Sequence, residues 1–392
     1  MEDAVILSGV RTPIGAFQGA LSGLTAPQLG AVAIREAVRR SGVALADIDE
    51  VVMGCVLTGA MGQAPARQAS LHGGLPNSIP CMTINKVCGS GMKAVMLAAQ
   101  SVRLGESRCV VAGGMESMSN APYAMDKART GFRMGHGTVL DTMIHDGLWD
   151  PYNNVHMGNC GDLCARECSY TRAQIDEYAA ESYRRAIAAQ REGRLAAEIV
   201  PVSIPQKKGD PVVVDRDEEP GRGNPEKLAS LRPAFAKDGV TTAGNASSID
   251  DGAAALLVAS RSHAGKLGLA PLARVVAYAT HAQDPQWFTT APAVAVQKLL
   301  SMTGLTVGDV DLFEVNEAFA VVAMVTGDRI GIPREKLNVN GGAVALGHPI
   351  GMTGARLIIT AVHELRRRGG KYAVTTPCIG GGEATAMLIE AL

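Results

Sequence analysis

Two stretches of this chain, far apart in sequence, carry one pattern, and that repetition limits the fold more than any other feature. Gly42-Val43-Ala44-Leu45-Ala46-Asp47-Ile48-Asp49 matches Gly304-Leu305-Thr306-Val307-Gly308-Asp309-Val310-Asp311. At the same offset Ala31-Val32-Ala33 matches Ala293-Val294-Ala295. With one residue more, Ser90-Gly91-Met92-Lys93 resembles Thr353-Gly354-Ala355-Arg356. A chain that repeats a unit in this way is built of two similar halves. Each half then has the same sheet end, so two sets of loops can face one shared cleft. The length of 392 residues agrees, because a single core seldom serves so long a chain.

Within the first half, strands and helices alternate. Ala4–Ser8 reads as a buried strand. Thr25 and Gln28 form a capping box for a helix through about Arg40, closed by Gly42. Glu50–Cys55 and Cys109–Ala112 read as further strands. This pace predicts an α/β fold with a mainly parallel sheet and helices on both faces. A chain 47% hydrophobic but only 4% aromatic, with 45 glycines, suits such tight packing. The alternation stops near Asn120, and through Asn159 the chain is rich in Met, Gly, His and Asp. A helix follows, with Thr171 and Gln174 as its capping box and Ile175, Tyr178, Ala179 and Ile187 as its inner stripe. From Gln206 to Gly239 the chain is charged and broken by Gly and Pro, the character of an active-site cover or binding loop. A surface insertion without a role is the plain alternative. Regular alternation resumes at Ala273–Thr280.

Net charge of −1 offers no general attraction to nucleic acid or acidic membranes, so neither is expected as a partner. No apolar run approaches the ~20 residues that span a bilayer. Met1-Glu2-Asp3-Ala4-Val5-Ile6-Leu7 enters a strand with no basic leader, and Glu390-Ala391-Leu392 is not a peroxisomal address. A cytoplasmic enzyme is the expectation. None of the eight cysteines forms C-x-x-C, which argues against a redox pair or zinc ribbon. His156, Cys160, Cys164 and Cys168 recur every four residues. Strung over three helical turns they span ~18 Å, too far to share one ion, so no metal is expected and small apolar packing is the better reading.

Chemistry concentrates at four stretches, three of them rich in glycine. In Asn85-Lys86-Val87-Cys88-Gly89-Ser90-Gly91 a cysteine ends an extended run and precedes a helical pattern from about Ser90 to Gly105. A helix N-terminus lowers a thiol's pKa, and flanking glycines leave room for a large electrophile. Cys88 is therefore a candidate nucleophile, with a buried core cysteine as the plain alternative. Asn316-Glu317-Ala318-Phe319 follows the strand Asp311–Val315, where the amide either caps a helix or holds a water or substrate oxygen. In Asn340–Gly351, glycines and prolines constrain His348, a catalytic candidate against a structural one. Cys378-Ile379-Gly380-Gly381-Gly382 pairs a second cysteine with bare backbone N–H donors, as an oxyanion hole needs. Two thiols, an imidazole, an amide and exposed backbone fit acyl-thioester chemistry.

These four motifs, in this order and spacing, resemble the thiolases over essentially the whole chain. The resemblance implies a thiolase-like α/β fold, two similar halves forming a layered αβαβα core with an inserted loop domain. Residues 1–119 with 249–270 would form the N-terminal half, 120–248 the insertion, and 271–392 the C-terminal half. A homodimer or homotetramer is implied. So are the roles: Cys88 attacks the thioester and carries the acyl group, His348 takes the thiol proton, and Cys378 is the second acid/base. Asn316 would hold a water at the enolate oxygen, and the N–H groups of Cys88 and Gly380 would form the other oxyanion site. His156 and Met157 resemble the lining of the acyl pocket, and Ala318 and Phe319 would border it. Ala246 and Ser247 resemble the stretch along the pantetheine arm, with Ser247 as a hydrogen-bond partner. Arg222 is a candidate contact for the CoA nucleotide, or an ordinary solvated arginine.

The implied reaction joins two acetyl-CoA into acetoacetyl-CoA and CoA, or reverses it. No redox cofactor is implied, since coenzyme A thioesters are the substrates. The rival within the family is a 3-ketoacyl-CoA thiolase of β-oxidation accepting longer chains. Two departures touch the pocket walls: Cys160-Gly161-Asp162-Leu163 stands where many biosynthetic members have Thr-Ala-Glu-Asn, and Trp287-Phe288 replaces a smaller Val-Met. A decarboxylating ketoacyl synthase would not need Cys378 as a base. A non-catalytic acyl-CoA binder would have no use for Cys88, His348 and Cys378 together.

Overall fold

The computed structural model describes residues 2–392. Its strands are β1 (Ala4–Arg11), β2 (Glu50–Gly54), β3 (Cys81–Ile84), β4 (Cys109–Ser117), β5 (Asp250–Ser260), β6 (Ala273–Ala282), β7 (Leu312–Val315), β8 (Tyr372–Thr376), β9 (Cys378–Ile379) and β10 (Glu383–Ala391). The main path through the sheet runs β7-β8-β10-β6-β1-β5-β4-β2-β3. Apart from β3 this order is a palindrome about the β1–β6 pair, where Val5 faces Arg274 and Ile6 faces Ala273. The sequence repeat is therefore a spatial one.

Local chemistry repeats with it. The helices α1 (Ala26–Ser41) and α5 (Ala291–Thr303) both end on left-handed glycines, Gly42 at φ 72° and Gly304 at φ 71°. Asp49 accepts from the N–H groups of Arg108 and Cys109, and Asp311 accepts from those of Lys371 and Tyr372. Each aspartate thus fixes the register of a parallel pair, β2–β4 or β7–β8. The expected capping boxes are present: the Thr25 N–H donates to Gln28 Oε1 at 2.8 Å, and Thr171 and Gln174 do the same ahead of α4 (Arg172–Arg191).

The core is layered as the sequence leads one to expect. Two central helices, α2 (Ser90–Leu104) and α7 (Ile350–Arg368), pack against each other between the two half-sheets. α1 covers the outer face of one half-sheet and α5 that of the other. α2 and α7 cross backbone to backbone. A Cβ on Gly91 would lie 2.7 Å from the Ala355 nitrogen, and one on Gly354 would lie 2.4 Å from that of Met92. The two glycines that the repeat aligns thus meet at the crossing.

Two expectations need correction. The sheet is mixed: β2–β3, β2–β4 and β7–β8 are parallel, whereas β1, β5, β6 and β10 pair antiparallel with their neighbours. β5 returns from the insertion and threads between β1 and β4, and β10 turns back on β8, directions that hydrophobic periodicity does not carry. Ile187 is exposed rather than part of the inner face of α4, whose buried residues are Ile175, Asp176, Ala179, Ser182, Tyr183, Ala186 and Ala189, with Tyr178 packed partly buried against the same core. The insertion is tied to β1 by a buried cluster in which Arg11 pairs with Glu198 and Asp217, both at 2.6 Å. No helix among the described residues is long and apolar enough to cross a membrane.

Candidate active site

The loop between β3 and α2 holds Cys88. Just before it, Val87 is forced to φ 45°, a conformation that costs a β-branched residue on the order of 1–3 kcal/mol. The turn is held by Ser90, whose Oγ donates to the Val87 carbonyl at 2.6 Å and accepts from the Lys86 N–H at 2.8 Å. From the other half comes the loop carrying β9. A Cβ on Gly89 would lie 2.3 Å from Ile379 Cδ1, so any larger residue there would have to displace the Ile379 side chain where the two cysteine loops meet. An ion pair between Lys86 and Glu383 spans the same junction.

The Gly380 N–H and Cys88's own N–H both donate toward the Cys88 sulfur. Cys378 is fully buried and close enough to Cys88 for charge on one sulfur to oppose charge on the other. The Ala318 backbone and the Asn316 side chain donate toward Cys378. Asn316 ends β7 and caps no helix, since the next one, α6 (Ala320–Ile330), starts four residues later with Phe319 before it. Asn316 Nδ2 stands 3.4 Å from His348 Nε2, and its Oδ1 is buried without a protein partner. His348 is 5% exposed. Its N–H donates to Asp250 Oδ2 at 2.7 Å, and Nδ1 lies 2.6 Å from Thr353 Oγ1.

Proton affinities here follow from burial. The expected lowering of the Cys88 pKa by a helix terminus does not occur: desolvation outweighs the two N–H donors, and the thiol is pushed up to about 12. Burial raises Cys378 as well. Burial, reinforced by the charge of Arg356, pulls the His348 imidazole down to about 3. At neutral pH the site therefore holds two thiols and a neutral imidazole. Beneath them, burial raises the Glu116 carboxyl to about 7, while it accepts from the N–H groups of Val56, Leu57 and Gly351.

Cys88, His348 and Gly380 open onto one apolar cavity of about 220 Å³. Met157, Ala246, Ser247, Phe288, Ala318 and Phe319 line it, and so does His156. The His156 ring stacks on Phe235 with centroids 4.5 Å apart. Ser247 Oγ donates to the Ala318 carbonyl at 3.0 Å, so it faces the cavity with acceptor capacity only. Trp287 is not on the wall; Phe288 alone of that pair lines it, edge-on to Phe319 at 6.3 Å. Arg222 lies outside this cavity, on the short helix Glu219–Arg222, 58% exposed beside Glu219. An arginine in a charged loop carries no local mark of which way it faces. Cys160 and Cys164 are buried in the core on the inner face of α3 (Met157–Glu167), which His156 caps.

Sequence reasoning missed several lining residues, Met118, Leu148, Phe235 and Ile350 among them. Phe235, one of only six phenylalanines in the chain, left a trace by lying inside a charged run. Thr353 left another, as the repeat partner of Ser90.

Comparison with known proteins places the chain in a family. The family model described as the thiolase N-terminal domain matches residues 4–262, and that for the thiolase C-terminal domain matches 269–391. An Arabidopsis thaliana protein named acetyl-CoA acetyltransferase 2 is 52% identical, with 100% of this chain and 97% of the relative covered. The crystal structure of Bacillus anthracis acetyl-CoA acetyltransferase superposes with a TM-score of 0.98 at 42% identity, covering 100% of this chain and 99% of the other. A thiolase from Ascaris suum, crystallised in complex with coenzyme A, gives 0.95 at 44% identity with both chains fully covered. The chain belongs to the thiolase family.

Proposed function

We propose that this chain is an acetyl-CoA C-acetyltransferase, condensing two acetyl-CoA into acetoacetyl-CoA and CoA and catalysing the reverse cleavage. The observation that carries this reading is the meeting of Cys88 and Cys378, one from each half, beside a neutral imidazole and a pair of backbone N–H donors. In the first step Cys88 Sγ attacks the thioester carbonyl as its proton passes to His348 Nε2. The oxyanion forms between the N–H groups of Cys88 and Gly380, where losing one donor costs about 3 kcal/mol of transition-state stabilisation. CoA leaves with a proton, and the acetyl group stays on Cys88.

In the second step the Cys378 S–H proton passes to His348 Nε2, and the sulfur so freed removes a methyl proton from another acetyl-CoA. The enolate oxygen is met by His348 and by a water accepted at Asn316 Oδ1. The enolate carbon attacks acetyl-Cys88, and the sulfur of Cys88 leaves, taking back the proton held on His348 Nε2. One thioester bond is exchanged for a carbon–carbon bond with no net oxidation, so no redox cofactor takes part and coenzyme A thioesters are substrates. Because both thiols are neutral at rest, proton transfer through His348 is coupled to each bond-making step rather than completed before it.

Three phenylalanines, Phe235, Phe288 and Phe319, closing a small apolar cavity support a short acyl group over the longer chains of β-oxidation. Two further points belong to the same reading. All eight cysteines are unpaired thiols, which suits a reducing compartment such as the cytoplasm. β3 ends the sheet with one edge unpaired and Met82 40% exposed, which supports pairing with another copy in a dimer or tetramer.

The test is Cys378→Ala with labelled acetyl-CoA. Cys88 should become acetylated while no acetoacetyl-CoA forms. Full condensing activity in that variant would refute the role of Cys378, and label retained on another residue in Cys88→Ser would move the nucleophile.

A further inference from the structure

The two halves carry matching hydroxyls behind their reactive loops. Ser90 opens α2 two residues after Cys88. Thr353, which the repeat aligns with Ser90, lies in the first turn of α7, five residues after His348. Each hydroxyl donates to a loop carbonyl: Ser90 Oγ to Val87 at 2.6 Å, Thr353 Oγ1 to Pro349 at 2.9 Å. Each is also met by a loop nitrogen, the Lys86 N–H for Ser90 and His348 Nδ1 for Thr353, at 2.8 and 2.6 Å.

A hydroxyl has one proton. With the proton of Thr353 on the Pro349 carbonyl, Oγ1 faces Nδ1 as an acceptor, so Nδ1 carries the hydrogen of the imidazole. The far side of the ring agrees independently. Asn316 Nδ2 is a donor, and it faces Nε2, where only a lone pair is compatible with it.

We propose that Thr353 is a positioning residue that holds His348 as the Nδ1–H tautomer and so keeps Nε2 free as the base toward the cavity. The inference rests on the assignment of His348 as proton acceptor. In the acylation step the Cys88 S–H bond breaks and an Nε2–H bond forms. The resulting imidazolium keeps its Nδ1–H on Thr353, which is 1% exposed and therefore has no competing solvent. Without the hydroxyl, both tautomers become accessible, and the one with hydrogen on Nε2 cannot accept the thiol proton.

The experiment compares Thr353→Val, which keeps the shape and removes the hydroxyl, with Thr353→Ser, which restores it. Imidazole nitrogen shifts are read in protein carrying 15N-histidine, the His348 signals being those lost in His348→Asn. Wild type should show Nδ1–H. Thr353→Val should show a mixture, with kcat for acetoacetyl-CoA cleavage about a hundredfold lower and KM nearly unchanged, and Thr353→Ser should recover both. A wild-type imidazole protonated on Nε2 overturns the inference, and that measurement stands even should Thr353→Val fail to fold. So does a Thr353→Val enzyme with wild-type kcat, or one that is slow while its tautomer is unaltered. Activity retained in His348→Asn would instead refute the base assignment itself; an inactive His348→Asn beside a fully active Thr353→Val would sink only the role of Thr353.

Discussion

Phe288 is the residue on which acyl length should turn. It is 2% exposed, packs edge-on against Phe319, and forms part of the cavity wall onto which Cys88 opens. Phe288→Ala removes the ring and leaves its space joined to the cavity. Buried phenylalanine truncations cost about 3–5 kcal/mol of stability, so the variant should melt earlier, and absolute rates are a poor measure. The ratio of two substrates on the same variant cancels that damage. 3-Ketohexanoyl-CoA differs from acetoacetyl-CoA by two methylenes, each worth about 0.8 kcal/mol when buried. If both enter the new space, the ratio of kcat/KM for cleavage of the six-carbon over the four-carbon substrate should rise by about 1.6 kcal/mol, roughly fifteenfold. Thiolytic cleavage is followed by loss of the 3-ketoacyl-CoA enolate absorbance with excess CoA. A ratio unchanged within twofold, in a variant still folded at the assay temperature, would mean that the chain leaves Cys88 in another direction.

Two further predictions follow from the electrostatics. The Lys86–Glu383 pair is partly exposed, so Lys86→Met should cost less than about 1 kcal/mol of stability. Because the pair joins the two cysteine loops, condensation should slow at least tenfold more than acetylation of Cys88, with partial recovery in the double variant Lys86→Glu/Glu383→Lys; equal slowing of both steps would dismiss the clamp. His348, held near 3 when folded against about 6.5 when unfolded, binds fewer protons in the native state, so stability falls as pH drops from 6.5 toward 3. Between pH 7 and 5 His348→Asn should lose about 2 kcal/mol less than wild type in urea unfolding; parallel losses would place the imidazole pKa near its ordinary value.

Much of the plan could be read from local pattern. The capping boxes at Thr25 and Thr171, the glycines closing α1 and α5, and the aspartates at 49 and 311 act over a few residues, so their types and spacings announce them. The same holds for Cys88, His348 and Cys378, which stand in glycine-rich turns, and for Asn316, which directly follows β7. Strand direction was not legible, because a half-buried strand has one periodicity whichever way its neighbour runs. Ile187 went astray for a related reason, since which way a helix face points depends on what packs over it.

What the sequence determined by itself is a fold of two repeated halves and the identity of the side chains delivered to their sheet ends. What only the tertiary structure decided is the state of those side chains. A helix terminus near Cys88 argues for a thiolate, yet the folded site holds a thiol. The helix effect comes from the adjoining turn, whereas desolvation comes from atoms that distant segments bring around the sulfur, and here it is the larger of the two.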